Sequence, residues 1–142
     1  MEIIYPTTEE IINYNKYVLE KIKVKRADAP KILSELKLRE IISKCKNIKG
    51  DVYDKASLLL EGLIQSHVFA SGNRRTALFI TIKFLLDNKT EPMIKNEAKY
   101  AKVLTGIREG FYSRLQIKDW LKNGQIQEFS RNWNRQEGFT IS

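Results

Sequence analysis

One cysteine, Cys45, in 142 residues is too few for an internal disulfide or a multi-cysteine metal site. Neither a disulfide-stapled scaffold nor a thiolate cluster is available, and Cys45 reads as a packing residue compatible with a reducing compartment. The chain also lacks any run of ~18 apolar residues that could span a bilayer. Its first residues lack the basic region and apolar stretch of a secretory signal, so a cytoplasmic protein with no membrane partner is expected. Repeats, low-complexity tracts and dividing linkers are missing as well. A chain of this length buries roughly two-thirds of its unfolded surface around one core. Residues 1–142 are therefore read as a single domain, with its core over 6–122 and a C-terminal tail or extra helix over 125–142.

Acidic residues are outnumbered, 17 Asp and Glu against 25 Lys and Arg, for a net charge of +8. Such a balance attracts nucleic acid, nucleotides or an acidic partner and does not choose among them. Many lysines fall between Lys16 and Lys49 at irregular spacing, without the interleaved aromatics of a base-stacking surface. That stretch reads as a solvated face, and nucleic acid is not the expected partner.

Helical periodicity dominates what is present. Thr7 and Glu10 have the spacing of an N-cap and its third helical residue, and Ile11, Tyr14, Val18 and Ile22 recur on one face, predicting a helix over 8–22. Residues 23–30 read as a loop with Asp28 a candidate cap, and Leu33, Leu36, Ile41 and Ile42 predict one or two short helices before Gly50. Val52 and Tyr53, after the Gly50-Asp51 turn, are candidates for a short extended segment. Ala56, Leu59, Leu60, Leu63 and Ile64 then form one helical face, and His67 falls on its continuation, which points the imidazole inward. The run from Ala77 to Leu86 is apolar on nearly every side, as in a core helix ending near Asp87. Two more helices are expected over 97–107 and 115–122, and the tail holds Phe129, Trp133 and Phe139.

Between the two apolar helices the chain reads His67-Val68-Phe69-Ala70-Ser71-Gly72-Asn73-Arg74-Arg75-Thr76. A helix start offers unbonded N–H groups and a partial positive charge, and Gly72 lets the backbone approach a ligand closely. Arg74 and Arg75 add forked cationic donors at the same point. An imidazole titrates near neutrality and suits removal of a proton from an attacking hydroxyl. His67 taken alone also fits a hydrogen-bonded core residue, and Asn73 fits a helix cap. Two arginines in a first turn, however, oppose the helix dipole, and an anion bound there resolves the conflict.

These residues resemble the Fic/Doc signature, H-x-F-x-[DE]-[GA]-N-x-R, and the continuation Asn73-Arg74-Arg75-Thr76-Ala77-Leu78 looks more like the Doc (death-on-curing) branch than the Fic branch. The likeness extends over about residues 6–122. It implies an all-α bundle of about six helices with a short flap before the motif loop. It also implies ATP or another nucleotide as substrate, and transfer of a phosphorylated group onto Ser, Thr or Tyr of a target protein. By the same resemblance His67 is the general base, Phe69 the buried anchor of the loop, Gly72 and Asn73 phosphate contacts, and Arg75 the charge stabiliser of the transferred group. Arg74 stands where the Fic branch has glycine and Doc has lysine, which favours the Doc mode, transfer of phosphate rather than AMP. Leu78 stands where the Fic pattern ends on arginine, again as in Doc.

Ser71 replaces the acidic residue that helps the family hold Mg²⁺, and a neutral hydroxyl is a weaker ligand for a hard cation than a carboxylate. No metal ligand is assigned, and Mg²⁺ would arrive with the nucleotide. Three readings follow: a Doc-like phosphotransferase that fits the toxin of a toxin–antitoxin pair; a Fic-type AMP transferase; and a nucleotide-binding module weakened by Ser71. The stretch from Ser57 to Gly62 fits the short [ST]-x-x-x-E-[GN] pattern of some inhibitory Fic segments. It lies on the helix leading into His67, so any inhibitor, such as an antitoxin, is expected on a separate chain.

Overall fold

The computed structural model describes residues 2–21, 30–94 and 99–130. Six helices run in order, α1 (Thr8–Lys21), α2 (Glu35–Asn47), α3 (Val52–Gln65), α4 (Asn73–Asp87), α5 (Tyr100–Arg108) and α6 (Arg114–Asn123), and no strand occurs among the described residues. The fold is all-α, as the sequence predicts. The Thr7 hydroxyl accepts from the Glu10 amide at 3.1 Å, which fixes the start of α1 where the cap spacing places it.

α3 is the central helix. It packs against α2, α4, α5 and α6, whereas α4 packs against α3 and α1. Its six consecutive residues from Lys55 to Leu60 are all buried. The expectation that the 77–86 run lies at the centre is therefore corrected: Phe79 and Leu86 of α4 face solvent at 46% and 55% exposure. One apolar cluster joins Ile11, Leu38, Ile41, Leu59, Leu60, Ile80, Phe84, Ile107, Ile117 and Leu121 from all six helices.

Two local expectations are also corrected. Val52 and Tyr53 begin α3 rather than an extended segment, because Asp51 and Asp54 form a reciprocal capping box, each side chain accepting from the other's amide at 2.8–3.0 Å. One helix follows residue 34, within the one or two expected before Gly50, and it is capped by the Ser34 hydroxyl on the Lys37 amide at 3.1 Å. Leu33 lies outside that helix, and Leu36 within it is exposed rather than inward. The Asp28 cap, Ile22 and the start of the 97–107 helix lie outside the described residues, and α5 is described from Tyr100.

Residues 31–34 run extended beside residues 68–70, with a single antiparallel bridge between Ile32 and Phe69. Leu33 N–H donates to the Val68 carbonyl at 2.7 Å, and Ala70 N–H to that of Lys31 at 3.0 Å. This extended stretch lies against the motif loop, where the expected flap belongs. The described part of the tail, residues 125–130, is not helical; Phe129 is buried and packs edge-on against Phe111, their centroids 5.2 Å apart.

Candidate active site

α3 ends at Gln65 with Ser66 as its C-cap, and His67 follows with φ of +52°. A left-handed residue turns the chain out of the helix, so the helical face does not continue to His67. The imidazole is exposed, which corrects the expectation that it points inward. Side chains other than glycine pay ~1 kcal/mol or more in this region, and such strain is concentrated at functional sites. Val68 and Phe69 then bury completely, leaving the loop between two fixed points.

The loop reaches α4 through Gly72, whose φ of +77° is left-handed. A Cβ there would also crowd Asn15 Nδ2 at 3.2 Å and Leu19 Cδ2 at 3.3 Å, which adds to the backbone's preference for glycine. No side chain caps α4, and its first internal bond is Thr76 N–H to the Gly72 carbonyl. The amides ahead of Thr76 are the ones a helix start leaves for an anion. Asn73 is not the cap. Its Oδ1 accepts from Phe69 N–H at 3.0 Å and its Nδ2 donates to the Phe69 carbonyl at 2.7 Å, closing the loop on itself.

A cleft of about 670 Å³ opens over this helix start, within the size range of small-ligand sites. His67, Ser71, Gly72, Asn73, Arg74 and Arg75 all line it, so the structure gathers the proposed polar site residues on one surface, with Phe69 buried beneath. Ile64, Leu78, Phe79 and Leu104 form its apolar wall. Arg74 Nη1 donates to Thr105 Oγ1 at 2.8 Å, which pins the guanidinium to α5. Burial, and then the neighbouring charges of Arg108 and Arg75, hold the Arg74 pKa below the ordinary arginine value.

Sequence reasoning missed two groups. Asn15 of α1, only 1% exposed, donates from Nδ2 to the Ser71 carbonyl at 2.9 Å and to Thr76 Oγ1 at 3.2 Å. It clamps the loop to the first turn of α4, and its signal was a polar side chain between Ile11 and Val18 on a buried stripe. Arg108, from the last turn of α5, also lines the cleft. Nothing local marks it, because only the packing of α5 against α3 brings it there.

The cleft contains no carboxylate among its lining residues, and no group of three or more His, Cys, Asp or Glu suited to a metal occurs among the described residues. With Ser71 as the only hydroxyl on the loop, the donor set does not fit a protein-held Mg²⁺, and no step below runs through one. No helix among the described residues is long and apolar enough to cross a membrane.

Fold and cleft together define an all-helical protein whose cleft at the uncapped start of α4 is lined by an imidazole and three arginines. Its sequence matches the model of the Fic/DOC family over residues 5–85, and the chain belongs to that family. Membership points, in general terms, to transfer of nucleotide-derived groups onto proteins. The match takes in the motif and the chain from α1 almost to the end of α4, while α5 and α6 lie beyond it. None of the curated proteins matches the sequence.

Proposed function

We propose that the protein is a Doc-like phosphotransferase that moves a phosphate group from ATP to a Ser, Thr or Tyr hydroxyl of a target protein. The observation that carries this reading is one shared surface: the exposed imidazole of His67, the uncapped start of α4, and three arginines with no carboxylate among them. Such a surface suits a ligand with several negative charges and a nucleophile that must lose a proton.

In the proposed step the target oxygen bonds to the γ-phosphorus while the bond from that phosphorus to the bridging oxygen of ADP breaks. His67 takes the proton of the attacking hydroxyl. The amides after Gly72 and the guanidinium of Arg75 balance charge on the transferring group. Asn73 acts through the loop, since both ends of its amide are committed to Phe69. Arg74 supports phosphate transfer over AMP transfer, because a bulky cation held against Thr105 stands where the Fic branch has glycine.

The protein fits the toxin of a toxin–antitoxin pair whose inhibitor is a separate chain. The internal stretch that resembles an inhibitory segment is otherwise engaged: the buried Ser57 hydroxyl donates to the Asp54 carbonyl at 2.8 Å, and Glu61 pairs with Arg114 at 3.1 Å.

Incubation with γ-labelled and α-labelled ATP plus cell extract tests the reading. Label transferred from the γ position alone, and abolished by His67→Ala, is expected. Transfer of α label would replace phosphotransfer by AMP transfer, and transfer that survives His67→Ala would remove the base assignment. The carboxylate-free donor set favours one second reading, a nucleotide-binding module in which Ser71 has weakened catalysis. It requires Ser71→Asp to create metal-dependent transfer, and no gain in that variant excludes it.

A further inference from the structure

The cationic wall of the cleft comes from two elements. Arg75 and the open amides belong to the start of α4, whereas Arg74 is drawn across to α5 by its 2.8 Å bond to Thr105. Thr105 in turn donates to the Ala101 carbonyl at 2.8 Å, so the hydroxyl that receives Arg74 is itself oriented by its helix. Arg108 lies one turn further along α5 and lines the same cleft.

Like charges in a half-buried cleft repel, and the repulsion is strongest where water is partly excluded. The carboxylate nearest Arg108 in sequence is Glu109, whose Oε1 lies 3.5 Å from Arg108 Nη2 with both side chains about 40% exposed (44% and 39%). A pair so open to solvent neutralises little. Arg108 also sits in the last turn of its helix, where the dipole favours a cation. That accounts for a positive charge at this end of α5, though not for Arg74 being held beside it.

We infer that Arg108 and Arg74 form a second anion position on the α5 side of the cleft, next to the loop cradle, and that Arg108 makes the site prefer ligands with two or more linked phosphates. This rests on the phosphate-binding reading of the cleft. It goes beyond the motif, because α5 lies outside the residues that match the family. The cradle holds one phosphate, Arg108 and Arg74 hold its neighbour, and a nucleoside di- or triphosphate spans both where a monophosphate cannot. Thr105 is the positioning residue that keeps Arg74 on the α5 side.

Calorimetric titration of the full chain with ATP, AMP and inorganic pyrophosphate tests this. The wild type should bind ATP and pyrophosphate on the order of tenfold or more tighter than AMP. Arg108→Gln should weaken ATP and pyrophosphate by about ten- to a hundredfold, the loss expected for a charged hydrogen bond, and leave AMP within about threefold. Arg108→Lys should fall between. Thr105→Val should show the same selective loss, which keeps the test open should Arg108→Gln not fold. Equal losses for ATP and AMP, or none for either, overturn the second position while leaving the cradle intact. A wild type that binds no phosphate compound overturns the cradle as well.

Discussion

His67 and Gly72 are the two left-handed residues of the loop, and they differ in what the conformation does. Gly72 adopts its φ of +77° without strain and leaves room for Asn15. Gly72→Ala should destabilise the fold by roughly 1–2 kcal/mol and weaken nucleotide binding, as read by urea midpoint and titration. His67 is strained at +52°, so His67→Gly should raise stability by about 1 kcal/mol while abolishing transfer. A variant that loses both stability and activity would contradict that division. Asn15→Ala leaves the Ser71 carbonyl and the Thr76 hydroxyl without their buried donor, at roughly 1–3 kcal/mol. At this scale the motif was legible residue by residue, because loop chemistry is written in consecutive positions. Asn15 and Arg108 were not, since each acts across a gap of tens of residues that only packing closes.

The start of α1 was legible from its cap spacing, whereas the Ser34 and Asp51 caps of α2 and α3 went unread and periodicity alone misplaced those starts. Thr7 with Glu10 marks the start of α1 in sequence and in structure. Leu33 and Leu36 mimic a helical pair, but the Ser34 cap sets the boundary and the bridge to Phe69 claims the chain before it. The junction of α2 and α3 hides a further device. Lys55, 6% exposed, donates from Nζ to the carbonyls of Cys45, Lys46 and Ile48 at 2.9–3.2 Å, closing the open end of α2. Lys55→Met should lower stability by about 2 kcal/mol in a denaturant titration. Asp54 joins the cap of α3 to α6 through Lys118 at 2.9 Å, and that hydrogen bond is the main cause holding its carboxyl below the usual range. A depressed carboxylate stabilises the fold above its unfolded pKa and loses that effect as pH falls through its folded one. The difference between wild type and Asp54→Ala, about 1 kcal/mol near neutrality, should therefore shrink only in acid, below about pH 4.

Among the described residues, four helices pack around α3, α1 closes on α4 and α2, and the start of α4 is left open beside α5. The fold class was legible because apolar residues recur at helical spacing almost throughout. Which helix is central was not, because α4 carries exposed Phe79 and Leu86 that composition cannot tell from core. Chain ends contribute too: Asn88 takes Ile4 N–H on Oδ1 and gives Nδ2 to the Ile4 carbonyl, both at 2.8 Å, fastening the N-terminal segment to the end of α4. The buried Cys45 thiol is pushed up to about 11, mainly by burial, so it should resist thiol reagents at pH 8 until the chain unfolds.

The central claim is that the glycine-marked start of α4 holds the phosphates of a nucleotide within reach of His67. A crystal structure with a non-hydrolysable ATP analogue tests it most directly. Phosphate oxygens within hydrogen-bond distance of the amides after Gly72 and of Arg75, with the γ-phosphate facing the imidazole, are expected. An analogue bound elsewhere, with the three guanidinium groups turned to solvent, would contradict it.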